Sequence, residues 1–437
     1  MQVTVETGEG LERRMRVDLP SEAIQEQVEK RLHELVRSVR LPGFRPGKVP
    51  LKLLRQRFAN QVEREVFGDL MQSSFASAVA ERSLRLAGAP HIEPEVHPAA
   101  QRYGFTATFE VLPQVELAPL TGQVVKRPVS EITDADLEAM IERLRVQRKT
   151  WVPVERPAQS GDRLTVSFTG TLEGESEPFA GGTAAAVPVE IGSARMLPGF
   201  EDGLIGAGTG ETRTLDLRFP DGYQRAELSG RAVRFEVTVD AVAAPELPAV
   251  DEAFARAFGV ADGEVERFRA DVRANMAREL KTRIQARTKE GVMNLLVASH
   301  QVEIPKVLLA EEVRALKGQM RETIGAPTMD LPDNLFEEPA RRRVVLGLLI
   351  GELIKHNGIR AEPSRVRAAI EELASTYEDP KEVVDYYYAD RKRLAPVESL
   401  VLEDQVVEWV LSQVTVEDEE MSFAQLTDPA SVGTAGT

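Results

Sequence analysis

The chain has 437 residues, 42% of them hydrophobic and 28% charged, with a net charge of −16 and no cysteine. One core stops growing at roughly 250–300 residues, so two to four domains are expected, in an acidic molecule without disulfides or thiolate chemistry. Residues 1–6 show no basic segment followed by an apolar run, and the longest apolar stretch, residues 344–354, holds Glu352 and is about half a membrane span. A cytoplasmic protein with no membrane partner is expected.

Residues 1–112 read as a compact α+β domain. Val3 and Val5, and later Phe105, Ala107, Phe109 and Val111, recur at period two, as half-buried strands do. Between them Ser21 is placed to cap a helix carrying Ile24, Val28, Leu32, Leu35 and Val39, and a second helix runs from Leu51 to about Ser83 with a break near Gly68. The helices are joined by Gly43-Phe44-Arg45-Pro46-Gly47-Lys48-Val49-Pro50, where two glycines and two prolines force a turn that presents an aromatic ring between cations. From Leu35 to Val62 there is no acid, while Arg37, Arg40, Arg45, Lys48, Lys52, Arg55 and Arg57 carry positive charge. Such a patch is either a solvated basic loop or a phosphate contact that neutralises backbone charge without reading bases.

This run resembles the ribosome-docking motif of the trigger factor family of bacterial chaperones, and the resemblance extends over nearly the whole chain. It implies that Gly43, Phe44, Arg45, Pro46, Gly47 and Lys48 touch protein and rRNA of the large ribosomal subunit beside the tunnel exit. Pro46 departs from the basic residue that some members carry there.

Residues 113–150 form a connector. Pro113, Pro119 and Pro128 keep it extended, after which Thr133 and Asp136 make a capping box for a helix whose stripe is Leu137, Met140, Ile141 and Leu144. This helix is expected to pack on residues remote in sequence.

Residues 151–246 change to short strands and turns: Leu164, Val166 and Phe168 alternate, as do Leu215, Leu217 and Phe219, and Val233, Phe235, Val237 and Val239. The run Gly206-Ala207-Gly208-Thr209-Gly210 lacks the GxxxxGK[ST] spacing and a following helix, so no nucleotide site is read there. Residues 195–204 (RMLPGFEDGL), with Phe168-Thr169-Gly170, Phe179 before Gly181-Gly182, Tyr223 and Phe235, resemble the FKBP-type prolyl isomerases in order and spacing. By that resemblance a proline pocket is lined by Phe168, Phe179, Met196, Leu197, Phe200, Tyr223 and Phe235. Phe200 stands where many members carry a tryptophan, and Ala180 where an acidic residue commonly follows the phenylalanine, a departure that bears on catalytic efficiency. Spacing alone favours a plainer reading, in which the phenylalanines are the core of a small β domain.

The histidines, His33, His91, His97, His300 and His356, lack ligand spacing and read as surface or capping residues; acidic pairs such as Glu371-Glu372 read as solvated helix faces. No metal and no cofactor is expected. From Leu247 onward the chain reads as helical: a short helix opened by Asp251, a long one through Val265, Phe268, Val272, Met276, Leu280 and Ile284, then helices opened at Pro305, Ala340, Pro363, Asp379-Pro380 and Pro396, before a disordered tail over 427–437. Met293, Met320 and Met329 suit either promiscuous contacts or a core.

The expected fold class is multidomain α+β: a ribosome-binding head (1–112), a connector (113–150), an FKBP-like domain (151–246) and an all-α domain with helical arms (247–426). The resemblance implies an ATP-independent chaperone that shelters nascent and unfolded polypeptides and isomerises X-Pro bonds, with a homodimer of the free protein left open. Two readings compete with it: a dedicated FKBP-type isomerase whose helices only dimerise, and a ribosome-binding assembly factor with a vestigial isomerase domain.

Overall fold

The computed structural model describes residues 2–39, 44, 49–97, 102–375, 377 and 379–428. Two compact units emerge from it, one of Met1–Pro128 with Gln285–Glu419 and one of Val129–Ile284 with Glu420–Thr437.

The first unit begins with β1 (Gln2–Thr7), β2 (Glu12–Leu19), α1 (Ser21–Ser38), α2 (Leu51–Glu81), β3 (His91–His97) and β4 (Arg102–Glu110). The strands form an antiparallel sheet of order β1-β2-β4-β3. Because side chains alternate along a strand, Met15 and Val17 of β2 share one buried face with Ala107 and Phe105, their partners in register on β4. Both helices close that face through Ile24, Leu32, Val62 and Phe75, whose ring meets Phe109 edge-on at 5.5 Å. Ser21 is the first helical residue rather than the cap, a position taken by Pro20. The break expected at Gly68 does not occur: α2 runs unbroken for 31 residues. A lone glycine weakens a helix by only about 1 kcal/mol, and Val62, Val66, Phe67 and Phe75 hold both flanks to the core.

After β5 (Val124–Val129), the second unit opens with α3 (Asp134–Gln147), capped as the sequence indicates: Thr133 Oγ1 accepts from the Asp136 amide at 3.2 Å, and Asp136 accepts from the Thr133 amide at 2.9 Å. Strands β6 (Thr150–Pro153), β7 (Arg163–Leu172), β8 (Pro178–Glu190), β9 (Thr212–Arg218) and β10 (Ala232–Glu246) make one sheet in the order β6-β10-β7-β8, with β9 also on β10. Then come α4 (Glu252–Ala257), capped by Asp251, and α5 (Val265–Ser299), whose residues up to Ile284 belong to this unit. Leu137 and Ile141 of α3 are buried with Phe254, Phe268, Val272, Met276 and Leu280, so the helix does pack on remote residues.

The rest of α5 returns to the first unit, with α6 (Lys306–Thr323), α7 (Asn334–Asn357), α8 (Pro363–Ala374), α9 (Pro380–Tyr388), α10 (Arg391–Gln413) and β11 (Thr415–Glu420), which pairs with β5; α11 (Phe423–Thr427) closes the described chain of the second unit. Val292, Leu296, Val345, Leu349, Leu353, Val406 and Val410 form the helical core, and Leu120 and Val125 of the connector are buried in it. His300, read as surface or capping, is buried but does cap the end of α5: Nδ1 lies 2.8 Å from the Leu296 carbonyl, while Nε2 accepts from the Ala118 amide at 3.0 Å. α7 and α10 start earlier than their prolines suggest, with Pro339 and Pro396 inside them. For α10 the reason is Asp390, whose carboxylate caps the Lys392 amide at 2.9 Å and begins the helix upstream. Gly358 ends α7 at φ 63°, as expected of a left-handed cap. The tail expectation from residue 429 onward lies outside the described residues.

One helix start is made across the chain. α6 has Pro305 at its cap position, no side-chain cap bond of its own and no acid in its first turn. The Glu110 carboxylate at the end of β4 accepts from the Val307 amide at 2.8 Å and supplies what is missing. Nearby, Arg85 pairs with Glu352 of α7 at 3.6 Å. Among the described residues no helix is long and apolar enough to cross a membrane.

A Cβ at Gly68 would meet no atom within 4 Å. Gly68→Ala should therefore stabilise α2 by about 0.5–1 kcal/mol, read as slower amide exchange along that helix in the full chain. Faster exchange would mean that the glycine serves a bend the structure lacks.

Candidate active site

The sheet of the second unit positions the aromatic residues that the sequence singled out. β7 supplies Phe168, β8 Phe179 and β10 Phe235. Register between β7 and β8 is broken at this place: Thr169 faces Thr183, but Thr171 faces Pro178. The surplus residues on β8 bring Phe179 over two glycines. A Cβ on Gly182 would lie 2.8 Å from the Phe179 ring, and one on Gly170 2.5 Å from the Phe235 ring, so neither position has room for a side chain.

The rings touch in sequence. Phe200 lies 5.7 Å from Phe168 and 5.5 Å from Phe235; Phe168 and Phe235 are 5.7 Å apart, and Phe235 reaches Phe179 at 6.3 Å, all edge-to-face. Phe200 and Phe235 are buried and form a floor, while Phe168, Phe179, Met196 and Leu197 are half-buried against the same core. Tyr223 stands at the edge, 38% exposed. All seven residues expected from the sequence thus belong to one cluster. An eighth was not expected: Phe219, buried, bridges Phe179 at 5.8 Å and Tyr223 at 4.9 Å. Its only signal was alternation with Leu215 and Leu217, which marks core and site alike.

Glu201 also escaped the sequence reading except as a letter of the motif. The residue is 6% exposed, and its carboxylate accepts from the amides of Gly192, Ala194, Arg195 and Met196 at 2.8–3.1 Å and from the Ser193 hydroxyl at 3.0 Å. These bonds wrap residues 192–196 around one side chain and hold Ala194 at φ 54°, a left-handed conformation costly for any residue but glycine. Burial pushes the Glu201 carboxyl upward, but the donors of Met196, Ala194, Ser193 and Arg195 outweigh it and hold the group below its ordinary value. Asp162 is held down in the same way, its burial outweighed by bonds from the Arg156 guanidinium and the Gln159 amide.

Of the basic tip, Phe44 is described and is exposed; Gly43, Arg45, Pro46, Gly47 and Lys48 lie outside the described residues. Among the flanking cations, Arg55 pairs with Glu29 across the two helices, so part of the acid-free stretch is neutralised from α1. Among the described residues no group of three or more His, Cys, Asp or Glu is placed to hold a metal ion.

The model of the bacterial trigger factor protein matches residues 1–144, and that of its C-terminus matches 264–412. A curated relative, the trigger factor of Thioalkalivibrio sulfidiphilus, is 45% identical over 435 residues, covering 99% of this chain and 99% of that protein. The chain belongs to the trigger factor family. Trigger factors of Stutzerimonas stutzeri (44% identical, 98% of this chain and 99% of that protein) and Saccharophagus degradans (44%, 99% of each) match as fully. Between the two trigger factor segments, residues 154–240 match the FKBP-type peptidyl-prolyl cis-trans isomerases. The chain is thus a trigger factor chaperone with an isomerase domain, and the aromatic cluster lies within that domain.

Glu201→Gln keeps the shape of the side chain but replaces one acceptor oxygen with a carboxamide NH2 that faces backbone donors, and should destabilise the isomerase domain by about 2–4 kcal/mol at neutral pH. The sign with pH follows from the lowered carboxyl: its stabilisation is complete above the unfolded value of 4.5 and is lost as pH falls through the lower folded value. Amide exchange at residues 192–196 in both chains, followed from pH 7 to pH 3, should show the gap between wild type and variant closing in acid. A gap independent of pH would rule out the carboxylate as its source.

Proposed function

We propose that the chain is an ATP-independent, ribosome-associated chaperone whose seven clustered residues catalyse rotation about X-Pro bonds. The observation that supports the catalytic reading is the aromatic cluster with a buried floor and an exposed edge. An X-Pro amide resists rotation because C–N resonance sets a barrier of roughly 18–20 kcal/mol, and the twisted state loses that resonance and its charge separation. A dry aromatic cleft therefore favours the twisted amide over the planar one. Phe200 and Phe235 carry the proline ring from below, Phe168 and Phe179 flank it, Met196 and Leu197 close the side held by Glu201, and Tyr223 offers a hydroxyl at the mouth. No bond to the protein forms or breaks, so neither a nucleophile nor a bound ion takes part in any step.

The wider role divides along the chain. Residues 1–112 dock on the large ribosomal subunit at the tunnel exit through Gly43, Phe44, Arg45, Pro46, Gly47 and Lys48, touching protein and rRNA. The exposed Phe44 ring and the acid-free run around it support this assignment. Residues 113–150 connect, residues 151–246 isomerise, and residues 247–426 hold nascent and unfolded chains in the cytoplasm, with 427–437 as a tail. Met320 and Met329 are exposed and adaptable, which suits many clients, whereas Met293 is buried in the helical core. Off the ribosome, the uncovered Phe44 favours pairing with a second copy.

Two experiments test this reading. In co-sedimentation with 70S ribosomes, Phe44→Ala with Arg45→Ala and Lys48→Ala should abolish binding that the wild type shows and that falls with salt; equal binding by both would sink the docking role. Phe179→Ala should lower kcat/KM on an X-Pro peptide about tenfold while leaving suppression of client aggregation unchanged, since holding uses other surfaces. Loss of both activities together would favour a dedicated isomerase.

A further inference from the structure

The segment between β9 and β10 carries Phe219 and Tyr223 to the edge of the aromatic cluster. It is stapled within itself: the Tyr223 amide donates to the Pro220 carbonyl at 3.2 Å, the Gly222 amide to Ser229 Oγ at 2.9 Å, and the Leu228 amide to the Arg225 carbonyl at 2.9 Å. Those bonds shape the loop but do not fix it to the wall opposite, where Phe179 stands. A polar link to that wall comes from Arg225. Its Nη1 donates to the Ala180 carbonyl at 2.6 Å, and its Nε and Nη2 both donate to Glu227 Oε1, at 3.0 and 2.5 Å.

The geometry of both ends is specific. Ala180 has no polar side chain to offer, so its backbone oxygen is the acceptor, and Gly181 behind it sits at φ 81°, a conformation that only glycine adopts freely. A Cβ on Gly181 would lie 3.5 Å from Arg225 Nη1. The guanidinium is a planar fork: with Glu227 holding one edge, the remaining edge has a single direction, and that direction is β8.

We propose that Arg225 is a positioning residue of the isomerase site, tying the Tyr223 loop to β8 beside Phe179 and so fixing the width of the mouth through which the proline enters. It acts through Tyr223 and Phe179 and touches no substrate. The proposal rests on the reading of the aromatic cluster as the proline pocket.

Steady-state kinetics on an X-Pro tetrapeptide with the full chain test it, with Tyr223→Ala measured in parallel. Arg225→Ala should raise KM about three- to tenfold with kcat within about twofold of the wild type, because a charge-assisted bond that is partly exposed orders the free mouth and not the twisted amide. Arg225→Lys, which reaches Ala180 with one donor but cannot hold Glu227 along an edge, should fall between the two. Arg225 is exposed, so its variants should keep the amide-exchange protection of β7 and β10. An unchanged KM in Arg225→Ala while Tyr223→Ala loses activity overturns the latch and leaves the pocket standing. Equal losses in kcat and kcat/KM for Arg225→Ala, or no gain from Arg225→Lys, also overturn it. Full activity in Tyr223→Ala overturns the pocket reading at its edge, and the latch with it.

Discussion

A buried carboxylate has to be surrounded by donors or it will not stay charged, and the isomerase domain is arranged around that requirement at Glu201. Five donors from consecutive residues converge on it. Their convergence bends residues 192–196 into a tight wrap, holds Ala194 in a conformation it would otherwise avoid, and sets Met196 and Leu197 beside Phe200, the neighbour of Glu201 in sequence. The floor of the cleft and its side are thus anchored through adjacent residues, one by packing and the other by charge. Phe200 needs the burial that this wrap provides, and the wrap needs the low-dielectric surroundings that make its hydrogen bonds strong.

An aromatic site of this type separates binding from proton chemistry. The rings meet edge-to-face at 5.5–6.3 Å, which gives rigidity without a titratable group among the floor residues. Charge is used around the site as scaffolding, at Glu201, Asp162 with Arg156, and Arg225 with Glu227. The Glu201 and Asp162 carboxyls are held below their ordinary values, so both stay ionised through the neutral range and keep the bonds they accept.

Much of this was legible in the sequence for a physical reason: strands and helices leave periodic traces, and caps leave residue types at fixed spacing. Thr133 with Asp136, Asp251 and Gly358 each did what its chemistry dictates. The aromatic residues of the cleft were legible only through the FKBP resemblance, since Phe168 and Phe235 occupy strand positions that a plain core would fill equally well. What stayed hidden is what depends on contact at long range. Phe219 looks like any inward strand residue until Tyr223 is folded against it. Glu201 looks like a surface acid until five donors from upstream surround it. Gly68 and Pro396 mark a break and a start by local rules, and tertiary packing at α2 and the Asp390 cap at α10 override them. His300 is buried because the connector, remote in sequence, hands it an amide.

The bond between Glu110 and the Val307 amide has a consequence in time rather than in space. A ribosome releases this chain from its first residue, so Glu110 is made long before Val307 exists. During that interval the carboxylate lacks the Val307 amide, and α6, once made, has only Pro305 to open it, with no side-chain cap bond and no acid in its first turn. Its first turn is completed by a carboxylate 197 residues upstream. The order of synthesis is thereby written into the fold, with the oldest part of the molecule serving as the template against which the root of a much younger helix is set.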